Sequence, residues 1–300
     1  MNVTAIIPAT NDPPTLERCL DAIAAADDPP EQTIVVTTPR GAGPAAARNR
    51  GARVASGDVL VFVDADVVAH RDAFSRIRAA FESDRDLAAV FGSYDDSPHH
   101  DGTVSSFRNL LHHHVHQTSA GPAATFWAGL GAIRRDAFLG CGGFDSDRFP
   151  RPSVEDIELG MRLADRGLRM TLDSQLLGTH LKRWSVAGMV RTDLRDRGIP
   201  WVALLVRRRA GSSSLNLHWR HRASALATVA AAISLARRRP RPLATAAGTL
   251  VALNRDFYAL LWRRRGARHA LAGVLLHALH LGCAAVAVPL GVGSELRRRA

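Results

Sequence analysis

The first ninety residues alternate between short apolar runs and amphipathic stretches, and that alternation restricts the fold more than any other feature. Val3–Ile7, Gln32–Thr37, Val59–Val63 and Ala88–Gly92 have strand length and composition. Between them, Thr15–Ala26 places Leu16, Cys19, Leu20 and Ile23 at helical spacing behind Pro13-Pro14. Ala45–Ser56 is an Ala/Arg-rich helix stopped by Gly57, and Asp72–Glu82 is a third helix. Strands separated by helices predict parallel pairing through right-handed crossovers, hence an open α/β sheet. Ligands of such sheets bind beyond the carboxyl ends of the strands. Residues 93–150 are less regular, with a turn-rich Gly140-Cys141-Gly142-Gly143-Phe144-Asp145 stretch. Ser153–Arg166 predicts a helix with Glu155, Asp156 and Glu158 in its first turn, where the helix dipole favours acids.

The third apolar run ends in Asp64-Ala65-Asp66. Two carboxylates so close in sequence repel unless a positive group sits beside them. One reading is a strand cap plus a solvated loop acid. The other is a divalent cation site, since hard oxygen ligands at an open strand end suit Mg²⁺ or Mn²⁺ shared with the phosphates of a nucleotide. The consecutive histidines of His112-His113-His114-Val115-His116 would face different directions on a helix and do not form a metal pattern. Gly41-Ala42-Gly43 is only a fragment of a phosphate loop, because Gly-Lys-Ser/Thr does not follow.

Charge divides the chain. The whole carries +11, yet residues 201–300 hold 17 Arg, no Lys and 2 acids, while residues 1–200 hold 22 basic and 26 acidic groups. A mildly acidic front is therefore joined to a strongly basic back. Nucleic acid would ask for basic residues interleaved with polar and aromatic readers. Instead Arg207–Arg209, Arg237–Arg239, Arg263–Arg265 and Arg297–Arg299 bracket Ala/Leu/Val-rich stretches, which favours a membrane over nucleic acid. Ala270–Gly293 has no formal charge over 24 residues, enough for roughly 36 Å as a helix. His277 and His280 within it count against a plain span, and Ala223–Ala236 and Leu243–Leu253 are short for a crossing. Cys19, Cys141 and Cys283 give neither a disulfide framework nor metal spacing, which fits a reducing compartment. Met1–Pro8 lacks a basic leader and reads as the first strand rather than a signal peptide.

Six motifs in order resemble the family 2 glycosyltransferases. They are Ile6-Ile7-Pro8-Ala9-Thr10-Asn11-Asp12; Gly43-Pro44-Ala45-Ala46-Ala47-Arg48-Asn49-Arg50-Gly51; Phe62-Val63-Asp64-Ala65-Asp66; Phe126-Trp127-Ala128-Gly129 with Ile133-Arg134-Arg135 and Gly142–Asp145; Glu155-Asp156; and His180-Leu181-Lys182-Arg183-Trp184. The resemblance covers about residues 1–205. It implies a GT-A fold, a Rossmann-like open mixed sheet, followed by an Arg-rich helical, membrane-associated region over 206–300. It also implies a metal-dependent, inverting transfer of sugar from a nucleotide-sugar to a hydroxyl acceptor. The basic back end points to an anionic leaflet at the cytoplasmic face of the cell membrane, and with it to a lipid or polyprenyl-phosphate acceptor.

By resemblance, Pro8, Ala9, Thr10, Asn11, Asp12, Arg48, Asp64, Ala65, Asp66, Arg183 and Trp184 hold the donor. Trp127, Gly129 and Arg135 lie on the acceptor side. Asp66, Asp64 and His180 are the metal ligands, with Mg²⁺ or Mn²⁺ as cofactor, and Asp156 is the general base beside Glu155. The second strand departs from the family pattern: Val36-Thr37-Thr38-Pro39-Arg40 stands where an acidic stretch usually contacts the base. Two alternatives stay open on sequence: a nucleotidyltransferase on a similar sheet, and a non-catalytic protein binding nucleic acid or membrane through its basic end.

Overall fold

The computed structural model describes residues 1–208 and 219–299. Arg209, part of the first arginine cluster, lies outside the described residues. The chain forms two compact units, one of residues 1–99 and 116–182, the other of residues 100–115 and 183–300. The boundary near 205 implied by the resemblance does not coincide with this division, which places residues 183–205 and part of a preceding helix with the C-terminal helices.

The first unit is built on one eight-stranded sheet. Its strands are β1 (Val3–Pro8), β2 (Gln32–Val36), β3 (Val59–Val63), β4 (Val67–Ala69), β5 (Leu87–Tyr94), β6 (Gly121–Pro122), β7 (Leu130–Arg134) and β8 (Arg169–His180). The order is β2-β1-β3-β7-β5-β8-β4, with β6 paired to β8. Strands β1, β2 and β3 are parallel, as the alternation predicts. The interposed helices are α1 (Leu16–Ala24), α2 (Pro44–Val54) and α3 (Ala73–Ser83), each within a few residues of its predicted span.

Strand β7 changes the sheet from parallel to mixed. It lies antiparallel to both β3 and β5. Its register pairs Val63 with Leu130 and Val59 with Arg134. The residues just before β7 therefore arrive beside the carboxyl end of β3, and those just after it arrive at the opposite end. Strand β8 runs parallel to β5 and antiparallel to β4, pairing His180 with Val67. Neither strand is legible in sequence. Strand β7 is Leu-Gly-Ala-Ile-Arg, whose Gly and Ala have low strand propensity. Gly131 has no room for more, since a Cβ there would stand 2.3 Å from the Trp127 carbonyl oxygen. In β8 the polar Asp173-Ser174-Gln175 interrupts the apolar period, and the pairing with β5 shifts register between Phe91 and Ser93.

The core holds Phe62, Phe91, Phe126, Phe138 and Phe144, in edge or tilted contacts at 5.2–6.5 Å. Such aromatic pairs contribute about 0.5–1.5 kcal/mol each beyond their buried area. Helices α5 (Arg135–Gly140) and α6 (Glu155–Asp165) complete the layer. Gly160 brings α6 against the chain at Thr125–Phe126, where a Cβ would meet the Phe126 nitrogen at 2.2 Å. That close approach sets the position of the acids one turn earlier on α6.

The second unit is helical. It takes its first segment from α4 (Thr103–Thr118), then α7 (Val186–Arg191), a π-helical stretch (Thr192–Gly198), α8 (Ile199–Arg208), α9 (Trp219–Ala236), α10 (Pro240–Leu253) and α11 (Arg255–Arg299). Helix α11 is broken at Gly266, whose φ of 80° and ψ of 177° leave the helical region at little cost only for glycine. Phe107, Leu110, Met189, Phe257, Tyr258 and Leu261 form its core. The buried Asp193 accepts from Arg108 at 2.7 Å and pairs with His280 at 2.8 Å, so its charge is compensated within the unit.

Candidate active site

Asp64 follows the fully buried β3, and the chain turns at once, with the Val67 nitrogen donating to the Asp64 carbonyl oxygen at 2.9 Å. The turn directs the carboxylates of Asp64 and Asp66 out of the sheet rim, about a third exposed each. They do not share one environment. Arg48 of α2 donates to Asp64 Oδ1 at 2.6 Å and to Glu155 Oε1 at 3.2 Å. Glu155 Oε2 also accepts from the Ser153 nitrogen at 2.8 Å. Asp66 faces the other way, 3.5 Å from His180 Nε2, while its carbonyl oxygen accepts from the Leu181 nitrogen at 2.8 Å.

These surroundings separate the two acids electrostatically. Partial burial raises the Asp64 pKa above the carboxylate norm, and Arg48 only offsets this. Burial acts on Asp66 in the same sense, but the hydrogen bond and charge of His180 outweigh it and hold the pKa low. Asp66 is therefore the carboxylate kept ionised and unclaimed by arginine. Arg48 is itself buried, which works against its charge. Asp64 and Glu155 prevail, and the guanidinium pKa is raised.

Arg48 thus connects the strand-end turn to the first turn of α6. Its neighbour Asn49 fixes the Gly-rich turn, donating to the Phe144 carbonyl oxygen at 2.7 Å and accepting from the Phe144 nitrogen at 2.8 Å. Arg48→Ala leaves Glu155 and Asp64 facing each other without their shared cation. The expected cost is about 3–5 kcal/mol, the range for breaking a buried pair. Urea denaturation of the variant should show it, with Arg48→Lys in between.

Asp156, beside Glu155, is half-buried. Its Oδ2 accepts from the Ala128 nitrogen at 3.2 Å and its Oδ1 from the Ile157 nitrogen at 2.8 Å. Two backbone donors fix the carboxylate's orientation. Glu155 beside it is paired with Arg48 at 3.2 Å. The same 126–129 segment reaches back to the strand end, where the Gly129 carbonyl oxygen accepts from the Asp64 nitrogen at 3.0 Å. Gly129 is required at this point, since a Cβ would lie 2.3 Å from the Trp127 ring.

Trp127 continues the circuit. Its ring stands edge-on to Tyr94 at 5.0 Å and to His116 at 5.5 Å, and His116 Nδ1 lies 2.9 Å from the Gly92 carbonyl oxygen. Tyr94 stacks flat on His180, with centroids 4.2 Å apart and planes 6° from parallel. Contacts therefore run in a closed ring: Asp64, Arg48, Glu155 with Asp156, Ala128–Gly129, Trp127, Tyr94, His180, Asp66. Tyr94 and His116 were not among the sequence candidates. Tyr94 had one signal, a polar aromatic ending an apolar strand at the carboxyl edge.

The remaining sequence candidates divide. Pro8 ends β1; the Ala9 nitrogen donates to the Val36 carbonyl oxygen at 2.9 Å, and Thr10 Oγ1 donates to the Ala42 carbonyl oxygen. Asn11 and Asp12 are exposed beside this loop, with Asp12 3.8 Å from Arg40. These residues occupy the carboxyl ends of β1 and β2, where a nucleotide belongs in such sheets. Ala65 is buried under the turn. Arg135 is not brought to the ring. Its nitrogen donates to the Asp58 carbonyl oxygen at 2.9 Å, at the opposite end of β3, because β7 runs antiparallel. There it lines a shallow cleft of about 780 Å³, remote from the paired aspartates. Arg183 and Trp184 belong to the second unit. The Trp184 nitrogen donates to Ser105 Oγ at 2.9 Å, and its ring lies under the Arg108 guanidinium at 4.9 Å. The histidine run is split, His116 falling in the first unit and His112–His114 in the second.

Among the described residues, no group of three or more His, Cys, Asp or Glu side chains is arranged to hold a metal ion. Asp66 and His180 offer two donors, which fits a cation whose other ligands are phosphate oxygens and water rather than an all-protein cage.

The family model Glycosyl transferase family 2 matches residues 25–140, a span that includes Arg48, Asp64, Asp66 and Trp127. That match covers about two fifths of the chain, and the mixed open sheet around it has the GT-A fold. No curated protein matches the chain. Among solved structures, the chain is similar to a mannosyltransferase from Pyrobaculum calidifontis in complex with GDP-Man and Mn²⁺. That pair shares 20% identity over 96% of this chain and 86% of the other, with a TM-score of 0.56. It is also similar to glucosyl-3-phosphoglycerate synthase from Mycobacterium tuberculosis in complex with Mn²⁺ and UDP-glucose. There the identity is 18% over 71% of this chain and 80% of the other, with a TM-score of 0.47.

Proposed function

We propose that this enzyme transfers a sugar, with inversion, from a nucleotide-sugar to an acceptor hydroxyl, and that it works at the cytoplasmic face of a membrane. The observation that carries the reading is the closed ring of contacts, in which the Asp66 carboxylate beside His180 and the oriented Asp156 carboxylate share a single stretch of sheet rim. Asp66 and His180 would hold Mg²⁺ or Mn²⁺, with Asp64 as the acid held in place by Arg48. A cation bound there supplies positive charge that stabilises the nucleoside diphosphate as the glycosidic C–O bond breaks.

The chain's own groups do the rest. Asp156 takes the proton from the acceptor hydroxyl while that oxygen attacks the anomeric carbon. Direct displacement on the face opposite the leaving diphosphate inverts the configuration. Gly129 and Trp127 form the wall on the acceptor side. The loop of Ala9–Asp12 with Thr37–Arg40 receives the nucleoside, using hydroxyls and Arg40 where the family pattern has acids.

Membrane association is supported by α11, the one helix among the described residues long and apolar enough to cross, with mean hydropathy 2.0 in its most apolar window. The arginine clusters that flank the apolar helices fit an anionic surface, and with it a lipid-linked or polyprenyl-phosphate acceptor. The test is an incubation of purified protein with nucleotide-sugars, Mn²⁺ and a membrane lipid extract, the product being read by NMR. A glycosylated lipid with anomeric configuration opposite to the donor is expected. Retained configuration would exclude direct displacement, and release of sugar 1-phosphate in place of nucleoside diphosphate would indicate a nucleotidyltransferase.

A further inference from the structure

The apolar helices of the second unit carry arginine at both ends. In α9 the uncharged stretch Ala223–Ala236 lies between Arg222 and Arg237–Arg239. In α11 the uncharged stretch Ala270–Gly293 lies between Arg263–Arg265 with Arg268 and Arg297–Arg298. Arg237, Arg238, Arg239, Arg263, Arg264, Arg268, Arg297 and Arg298 are all exposed. A crossing needs about 20 apolar residues, so α9 and α10 are too short for one. Helix α11 is long enough, but a crossing would leave one of its two arginine clusters on the far side. Orientation in membranes follows the excess of Lys and Arg on the cytoplasmic side, and four arginines at one flank against three at the other give only a small bias.

The surface of α11 points to a different arrangement. Leu271, Leu275, Leu279, Val286 and Leu290 are 69%, 74%, 36%, 51% and 44% exposed. Their spacing of four, four, seven and four residues puts them on one face of the helix. The other face is occupied within the unit, where His277, Leu281, Cys283 and Ala287 are buried. Helix α9 repeats the pattern with exposed Leu226, Val229 and Ile233. A helix with one face packed on protein, one apolar face open and arginine at both ends has the character of an interfacial helix.

We infer that the helical unit lies in the plane of one anionic phospholipid leaflet without crossing it. The leucine face of α11 enters the acyl boundary, and both of its arginine clusters rest at the same headgroup level. This deepens the membrane reading above and depends on it.

Two measurements test it on the full chain. Ala267→Cys and Leu296→Cys place thiols at the two ends of the apolar stretch, both at exposed positions. Cys19, Cys141 and Cys283 are buried, so the parent protein sets the labelling background. A membrane-impermeant maleimide should label both variants in inverted inner-membrane vesicles and neither in spheroplasts. Labelling of the two ends from opposite sides would overturn the in-plane arrangement while leaving membrane association intact.

In flotation, the purified protein should bind vesicles containing phosphatidylglycerol and lose binding as salt rises. Leu275→Asp, a surface change that opens no core, should weaken that binding about tenfold. Equal binding to phosphatidylcholine vesicles, or no effect of Leu275→Asp, would overturn the inference. So would a second copy covering the leucines, seen as a concentration-dependent doubling of mass that Leu275→Asp abolishes. A parent protein that floats with no vesicle and fractionates as soluble would remove the membrane reading itself.

Discussion

Asp156→Asn is expected to lower kcat by about 10²–10⁴-fold, the usual contribution of a positioned general base. Donor affinity should stay close to that of the parent. The two expectations together are diagnostic. Asp156 Oδ2 is held by the Ala128 nitrogen and Oδ1 by the Ile157 nitrogen. Asparagine can keep one of these contacts through its carbonyl oxygen but cannot take a proton. A purely structural role at the start of α6 predicts the opposite pattern: a lower melting temperature with turnover largely retained. Asp156→Glu supplies a further check, because it restores a base at a shifted position and should recover part of kcat without changing donor affinity. Parent-like turnover in Asp156→Asn would assign proton removal to another group.

The second large effect is expected at Asp66. Asp66→Asn should remove metal-dependent donor binding and reduce turnover by about 10²–10³-fold, comparable to losing a main electrostatic stabiliser of a leaving group. His180 interacts with this carboxylate from 3.5 Å and would lose its charged partner. Asp64→Asn is expected to differ in kind. Its Oδ1 is already committed to Arg48, so the substitution weakens the tie to Glu155 and should lower stability as well as activity. Measured by calorimetry, the Asp66 variant should lose Mn²⁺-dependent heat with a near-parental melting temperature. An Asp64 variant behaving identically would mean that the two aspartates act as a symmetric pair, contrary to their different partners.

Much of this was legible in the residues. Apolar runs separated by helical periods fixed the parallel half of the sheet, and the acids after Val63 marked the rim on which the candidate site is built. The motif order brought in Glu155-Asp156 and His180 from about 90 to about 115 residues away. What escaped were features that depend on tertiary register. Strand β7 has too much Gly and Ala to read as a strand, and its antiparallel course decides the fate of two neighbouring candidates. It carries Gly129 to the carboxyl end of β3 and Arg135 to the other end. Strand β8 is interrupted by Asp173-Ser174-Gln175, so its delivery of His180 onto Tyr94 and Asp66 had no periodic signature. Glu155 looked like part of a catalytic acid pair. The structure gives it Arg48 as a partner, and that pairing becomes visible only when α2 and α6 are seen to converge.

The central claim is that the sheet rim at Asp64 and Asp66 binds a nucleotide-sugar together with a divalent cation. A thermal-shift panel of UDP-, GDP- and dTDP-sugars, each with and without Mn²⁺, tests it most directly. The account predicts a stabilising shift for one nucleotide class that requires Mn²⁺ and disappears in Asp66→Asn. Shifts absent for every donor in the presence of Mn²⁺, or undiminished in Asp66→Asn, would contradict it.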